Sequence, residues 1–83
     1  MNNQKTGRLK SALNKKYGIT IYRLSTICTL GKTTLLDINR DSEMNVGQET
    51  IQEIFRATKK EYGTGLMPKD YLSKSKYTIL KEL

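Results

Sequence analysis

An all-α fold, a compact bundle of four or five helices containing a helix-turn-helix, is what this sequence predicts, on three observations. Apolar residues recur at three- and four-residue spacing in successive segments, the period of one helix face. Glycines stand just past two of those segments, at Gly18 and Gly63, where helices commonly close in a left-handed turn. Finally, 83 residues leave no room for the several βαβ units, roughly 30 residues each, that a parallel sheet needs.

The elements follow in order within one domain, residues 1–83. Residues 1–6 are polar and expected to fray. In "GRLKSALNKKYG", Leu9, Ala12, Leu13 and Tyr17 share a helical face, and Gly18 ends it. In "ITIYRLSTICTL" the β-branched start resembles a strand, but one short strand has no partner in so small a chain. Thr20 is a suitable N-cap, and Leu24, Ile27 and Cys28 recur at i, i+3 and i+4, so a short helix is expected after Thr20. "GKTTLLDINRD" carries Leu35 and Ile38 as a narrow apolar stripe. In "VGQETIQEIFRATKKEYG", Ile51, Ile54, Phe55 and Thr58 share a face, with Glu49 and Glu53 early and Lys59 and Lys60 late, as the helix dipole favours. The tail after "TGLM", within residues 66–83, reads either as a helix opened by Pro68 or as an edge or dimerising strand. Its Tyr71, Leu72, Ile79, Leu80 and Leu83 exceed what a small monomer needs, which suggests a dimer interface there.

Charge narrows the partners. The net charge is +7, and from Met1 to Leu36 there are Lys5, Arg8, Lys10, Lys15, Lys16, Arg23 and Lys32 without one acid. Such a segment repels itself, and an anionic partner, above all nucleic acid, relieves the repulsion. With no His and only Cys28, no zinc set is available, and neither a metal nor a cofactor is expected. The lone Cys28, most simply a small buried apolar residue, and the lack of a signal peptide or membrane span predict a reduced, soluble, cytoplasmic protein.

The stretch "CTLGKTTLLDI" admits two readings. Gly31-Lys32-Thr33 matches the end of a phosphate-binding loop, but the first glycine of that loop falls at Thr26, and neither a preceding strand nor a sheet is expected. An enzyme therefore finds no catalytic constellation. A helix-turn-helix asks for an apolar residue followed by a small one, met by Leu24 and Ser25, then buried positions at Cys28, Leu30, Leu35 and Ile38. Its second helix opens with Gly31, Lys32, Thr33 and Thr34, small or hydroxyl residues around a cation.

On these residues, "GITIYRLSTICTLGKTTLLDINRD" resembles the helix-turn-helix of the phage-repressor class, the Cro/C1-type or xenobiotic-response-element-type regulators. It is most like the subset whose first motif helix reads T-x-Y-R-L-[SA], with the motif at about residues 20–40. "QETIQEIFRAT" is similar to the fourth helix of that family, and the likeness covers about residues 8–60. The resemblance implies a lambda-repressor-like DNA-binding domain, binding to an operator through the major groove, and usually a homodimer on a palindromic site. It departs in three respects: Thr29 replaces the usual turn glycine, Ile21 replaces a common Gln, and Leu36 and Asp37 occupy positions often polar or basic.

By the same resemblance Lys32 and Thr33 meet base edges, Leu36 packs on a thymine methyl, and Asp37 either accepts from cytosine or orients Lys32 or Arg40. Phosphate contacts fall to Arg40, to Gly31, and to the backbone N–H groups of Thr20, Ile21 and Tyr22 and of the stretch beginning at Asn45. The function expected is a Cro-like dimeric repressor of double-stranded DNA. The alternative keeps the fold as a protein-interaction module, an antirepressor or antitoxin-like partner of a second regulatory protein, favoured by Leu36, Asp37 and the acidic loop of Asp41 and Glu43.

Overall fold

The computed structural model describes residues 7–43 and 45–72. Within them are four α-helices and no strand: α1 Arg8–Tyr17, α2 Ile21–Ile27, α3 Lys32–Arg40 and α4 Gln48–Tyr62, followed by a 3-10 turn at Pro68–Asp70. The expected all-helical class and the helical reading of residues 21–27 both hold. The radius of gyration is 11.6 Å, close to the ~12 Å of a compact chain of this length.

Each helix buries the stripe that its sequence spaces. Leu9 and Leu13 of α1, Leu24 of α2, Leu35 and Ile38 of α3, and Ile51 and Ile54 of α4 meet in one core, where each has at most 1% of its surface exposed. Full burial of such side chains contributes about 1.5–3 kcal/mol each. Ala12, Tyr17, Ile27, Cys28 and Leu30 pack partly buried around them. Gly18 (φ +70°) and Gly63 (φ +90°) close α1 and α4 in the left-handed region, the role their positions suggested.

Two hydrogen-bonding side chains, one buried and one partly exposed, set how the pieces meet. The Thr58 hydroxyl, fully buried on α4, donates to the Ile54 carbonyl at 2.8 Å and accepts from the Leu66 N–H at 2.9 Å. It thereby ties the chain that leaves α4 back onto that helix. Asn39, on the last turn of α3, caps α1 from outside: its Oδ1 accepts the Lys10 N–H at 2.9 Å and its carbonyl the Gly7 N–H at 2.7 Å. Gly7 itself has no side chain to do this. At the far end of α1, the Tyr17 hydroxyl donates to the Thr64 carbonyl at 2.6 Å, and its ring stacks on Tyr62 with centroids 4.9 Å apart.

Three expectations are corrected. Phe55, spaced on the apolar face of α4 as a core candidate, is half-buried and outside the core; its ring lies across Gly65, where an added Cβ would stand 2.3 Å from it and force the ring to move. Tyr71 and Leu72, expected at a dimer interface, are 0% and 2% exposed and belong to the chain's own core. Pro68 does open a helical turn, but of only three residues in 3-10 geometry. The remaining tail expectations, with Ile79, Leu80 and Leu83, and the fraying of residues 1–6, with Lys5, lie outside the described residues.

Thr58→Val keeps the volume but strips the Leu66 N–H of its buried acceptor, and is expected to lower unfolding free energy by about 1–3 kcal/mol in denaturant titration. Asn39→Ala is expected to cost about 0.5–2 kcal/mol by the same measurement, as loss of a helix cap does. A wild-type midpoint for either variant would refute its assignment.

Candidate nucleic-acid interface

The second helix is short and rich in β-branched residues, so its local signals and packing have to hold it. Thr20 caps it, its Oγ1 accepting the Arg23 N–H at 3.1 Å. Ile21 is 7% exposed and Leu24 fully buried, which anchors the inner face. Arg23 reaches across to the end of α4, with nitrogens 3.4 Å from the Tyr62 hydroxyl and from a Glu61 carboxylate oxygen. The first-turn N–H groups of Ile21 and Tyr22 have no intrahelical acceptor.

Residues 28–31 connect α2 to α3. Cys28 and Gly31 are both extended, and among the described residues no non-glycine has positive φ. The connection thus turns without the left-handed residue that β-branched Thr29 would resist. Its hold comes from α4: the Thr29 N–H donates to Glu53 Oε2 at 3.0 Å, while Glu53 Oε1 lies 3.6 Å from Arg56. This role of Glu53 escaped the sequence reading, which placed it only as an early acid on its own helix. A contact 24 residues apart in the chain leaves no trace in local spacing.

The third helix then presents its outer face. Leu35 and Ile38 point inward; Lys32, Thr33, Thr34, Leu36 and Arg40 are exposed, and Asp37 is half-exposed. Two groupings form there. Lys32 Nζ stands 5.6 Å from the centroid of the Tyr22 ring. Asp37 and Arg40, one turn apart, form an ion pair with the Arg40 Nη2 donating to Asp37 Oδ1. Tyr22 and Leu36, at 65% and 42%, are the large apolar side chains left exposed among the described residues. Gly31 has open space where a Cβ would stand, so the backbone at the start of α3 is accessible. Of the other expected contacts, Thr20 spends its hydroxyl on its own helix, Ile21 offers only its backbone, and Asn45 is exposed in the loop before α4.

Chemically this face offers a cation, hydroxyls, free backbone donors and two apolar surfaces. Among the described residues no cluster of His, Cys, Asp and Glu is arranged to hold a metal ion, and no helix is long and apolar enough to cross a membrane. Behind the face, partial burial pushes the Cys28 thiol above its ordinary pKa, and a backbone hydrogen bond at Leu30 offsets only part of this. Less thiolate is then present near pH 8, and alkylation by iodoacetamide at that pH is expected to be slower in the native protein than in denaturant. Equal rates would show that the thiol is not shielded by the fold. No family model matches this chain, and no curated protein or solved structure matches it.

Proposed function

We propose that this protein is a sequence-specific DNA-binding regulator, in which α2 and α3 act as a helix-turn-helix and α3 enters the major groove. The observation that carries the reading is the outer face of α3. It exposes Lys32 and Thr33 at its N-terminal end, in a chain with no acid before Asp37. In this reading Lys32 donates to guanine O6 or N7, and Leu36 packs against a thymine methyl one helical turn along. Phosphates are met by the N-terminal N–H groups of α2 and by Arg40, whose guanidinium Asp37 holds in place. A homodimer on an inverted repeat would repress by occupying an operator.

A second reading is favoured by one observation. Leu36 and Tyr22 are exposed apolar groups, and the Asp37–Arg40 pair neutralises part of the same face. A face of that kind also suits a second regulatory protein.

Selection of bound duplexes from a random pool at about 150 mM salt separates the two. The DNA reading expects an enriched inverted repeat with half-sites about one helical turn, ~10 base pairs, apart. No enrichment refutes it and favours the protein partner. On the enriched site, Lys32→Ala is expected to lose about 1–3 kcal/mol of discrimination at one base position. Asp37→Asn is expected to act oppositely and without sequence preference: it removes a carboxylate that repels the phosphate backbone, strengthening binding to any duplex. Weaker binding by Asp37→Asn, confined to one base position, would instead make Asp37 a base reader.

A further inference from the structure

Tyr22 is the large side chain whose placement the bundle does not explain. It sits in the first turn of α2, 65% exposed, beside neighbours that are otherwise polar outside and buried inside. Its backbone is nevertheless well fixed: Thr20 caps the turn, and the Ser25 hydroxyl donates to the Tyr22 carbonyl at 2.6 Å. What its ring touches is Lys32, whose ammonium stands 5.6 Å from the ring centroid, inside the ~6 Å over which an aromatic face attracts a cation.

Lys32 is the first residue of α3, on a face where Asp37 is already engaged by Arg40. A lysine there, on a flexible four-carbon stem, would ordinarily be a mobile point charge, shared among phosphates and base edges alike. Such a charge adds affinity for any duplex and little discrimination. Held over a ring whose backbone is fixed in the capped first turn of α2, the same charge is more restricted in place than a free lysine.

We infer that Tyr22 is a positioning residue for specificity: its ring holds the Lys32 ammonium for one base step and keeps it from the phosphate backbone. The inference rests on the DNA reading above and adds to it a residue outside the recognition helix. Tyr22 acts through Lys32; it need touch no base.

The test compares Tyr22→Ala and Tyr22→Phe on the selected duplex and on a scrambled duplex of equal length, at one salt concentration. Because Tyr22 is largely exposed, neither substitution opens a cavity in the core. Tyr22→Ala is expected to lose about two- to fivefold in affinity for the selected duplex and none for the scrambled one, with Tyr22→Phe unchanged. In a Lys32→Ala background Tyr22→Ala should cost nothing further. In the free protein, the Lys32 ε-methylene proton resonances should lie upfield in the wild type and in Tyr22→Phe, and return to ordinary values in Tyr22→Ala. An equal loss on both duplexes, a loss that persists without Lys32, or ordinary lysine resonances in the wild type would overturn the inference. If the wild type selects a sequence that Tyr22→Ala binds equally well, only this inference fails. If the wild type selects none, the DNA reading fails and takes this inference with it.

Discussion

The first turn of α1 has donors to satisfy and no side chain of its own to satisfy them, and the rest of the structure is arranged around the residue that does so. Gly7 stands at the cap position, so the Lys10 N–H turns to Asn39, on another helix. Asn39 also takes the Gly7 N–H on its carbonyl. Two hydrogen bonds from the start of α1, at Gly7 and Lys10, to this one residue tie α3 to α1. With Leu35 and Ile38 buried on the same side, α3 can turn only one face to solvent. That face is the one bearing Lys32, Thr33, Leu36 and Arg40.

The same logic extends around α3. Its N-terminal side is set by α2 and by residues 28–31, and that connection is held by Glu53 from α4. The exit from α4 is folded back by Thr58, and Leu66, Tyr71 and Leu72 then seal the core. A small domain buries only a modest fraction of its surface, so these polar ties matter more than they would in a larger one. The outer face of α3 is thereby carried on a backbone held by packing and hydrogen bonds, a suitable condition for recognition.

Much of the scaffold was legible in the sequence because it rests on local chemistry. Thr20 as a cap, Gly18 and Gly63 as helix ends, and the i, i+3, i+4 spacing of the apolar residues are properties of a few consecutive positions. The helix over residues 21–27 was legible despite its β-branched composition, because its cap and periodicity agreed. The exposure of Lys32, Thr33 and Leu36 follows likewise, since Leu35 and Ile38 claim the opposite side of the same helix.

What the tertiary structure alone decided lies between segments distant in the chain. Phe55 has the spacing of a core residue, but its ring lies half-buried across Gly65; Tyr71 and Leu72 look like surplus apolar surface until their burial in the core is seen. Tyr22 and Lys32, ten positions apart by number, meet only because α2 and α3 cross with their N-terminal ends in reach of one another. The sequence by itself determined which stretches are helical and which side of each is apolar, because hydrophobic periodicity and caps act over one or two turns. The crossing of the helices decided which polar groups pair and which side chains remain for a partner, because those contacts depend on relative positions that no local pattern encodes.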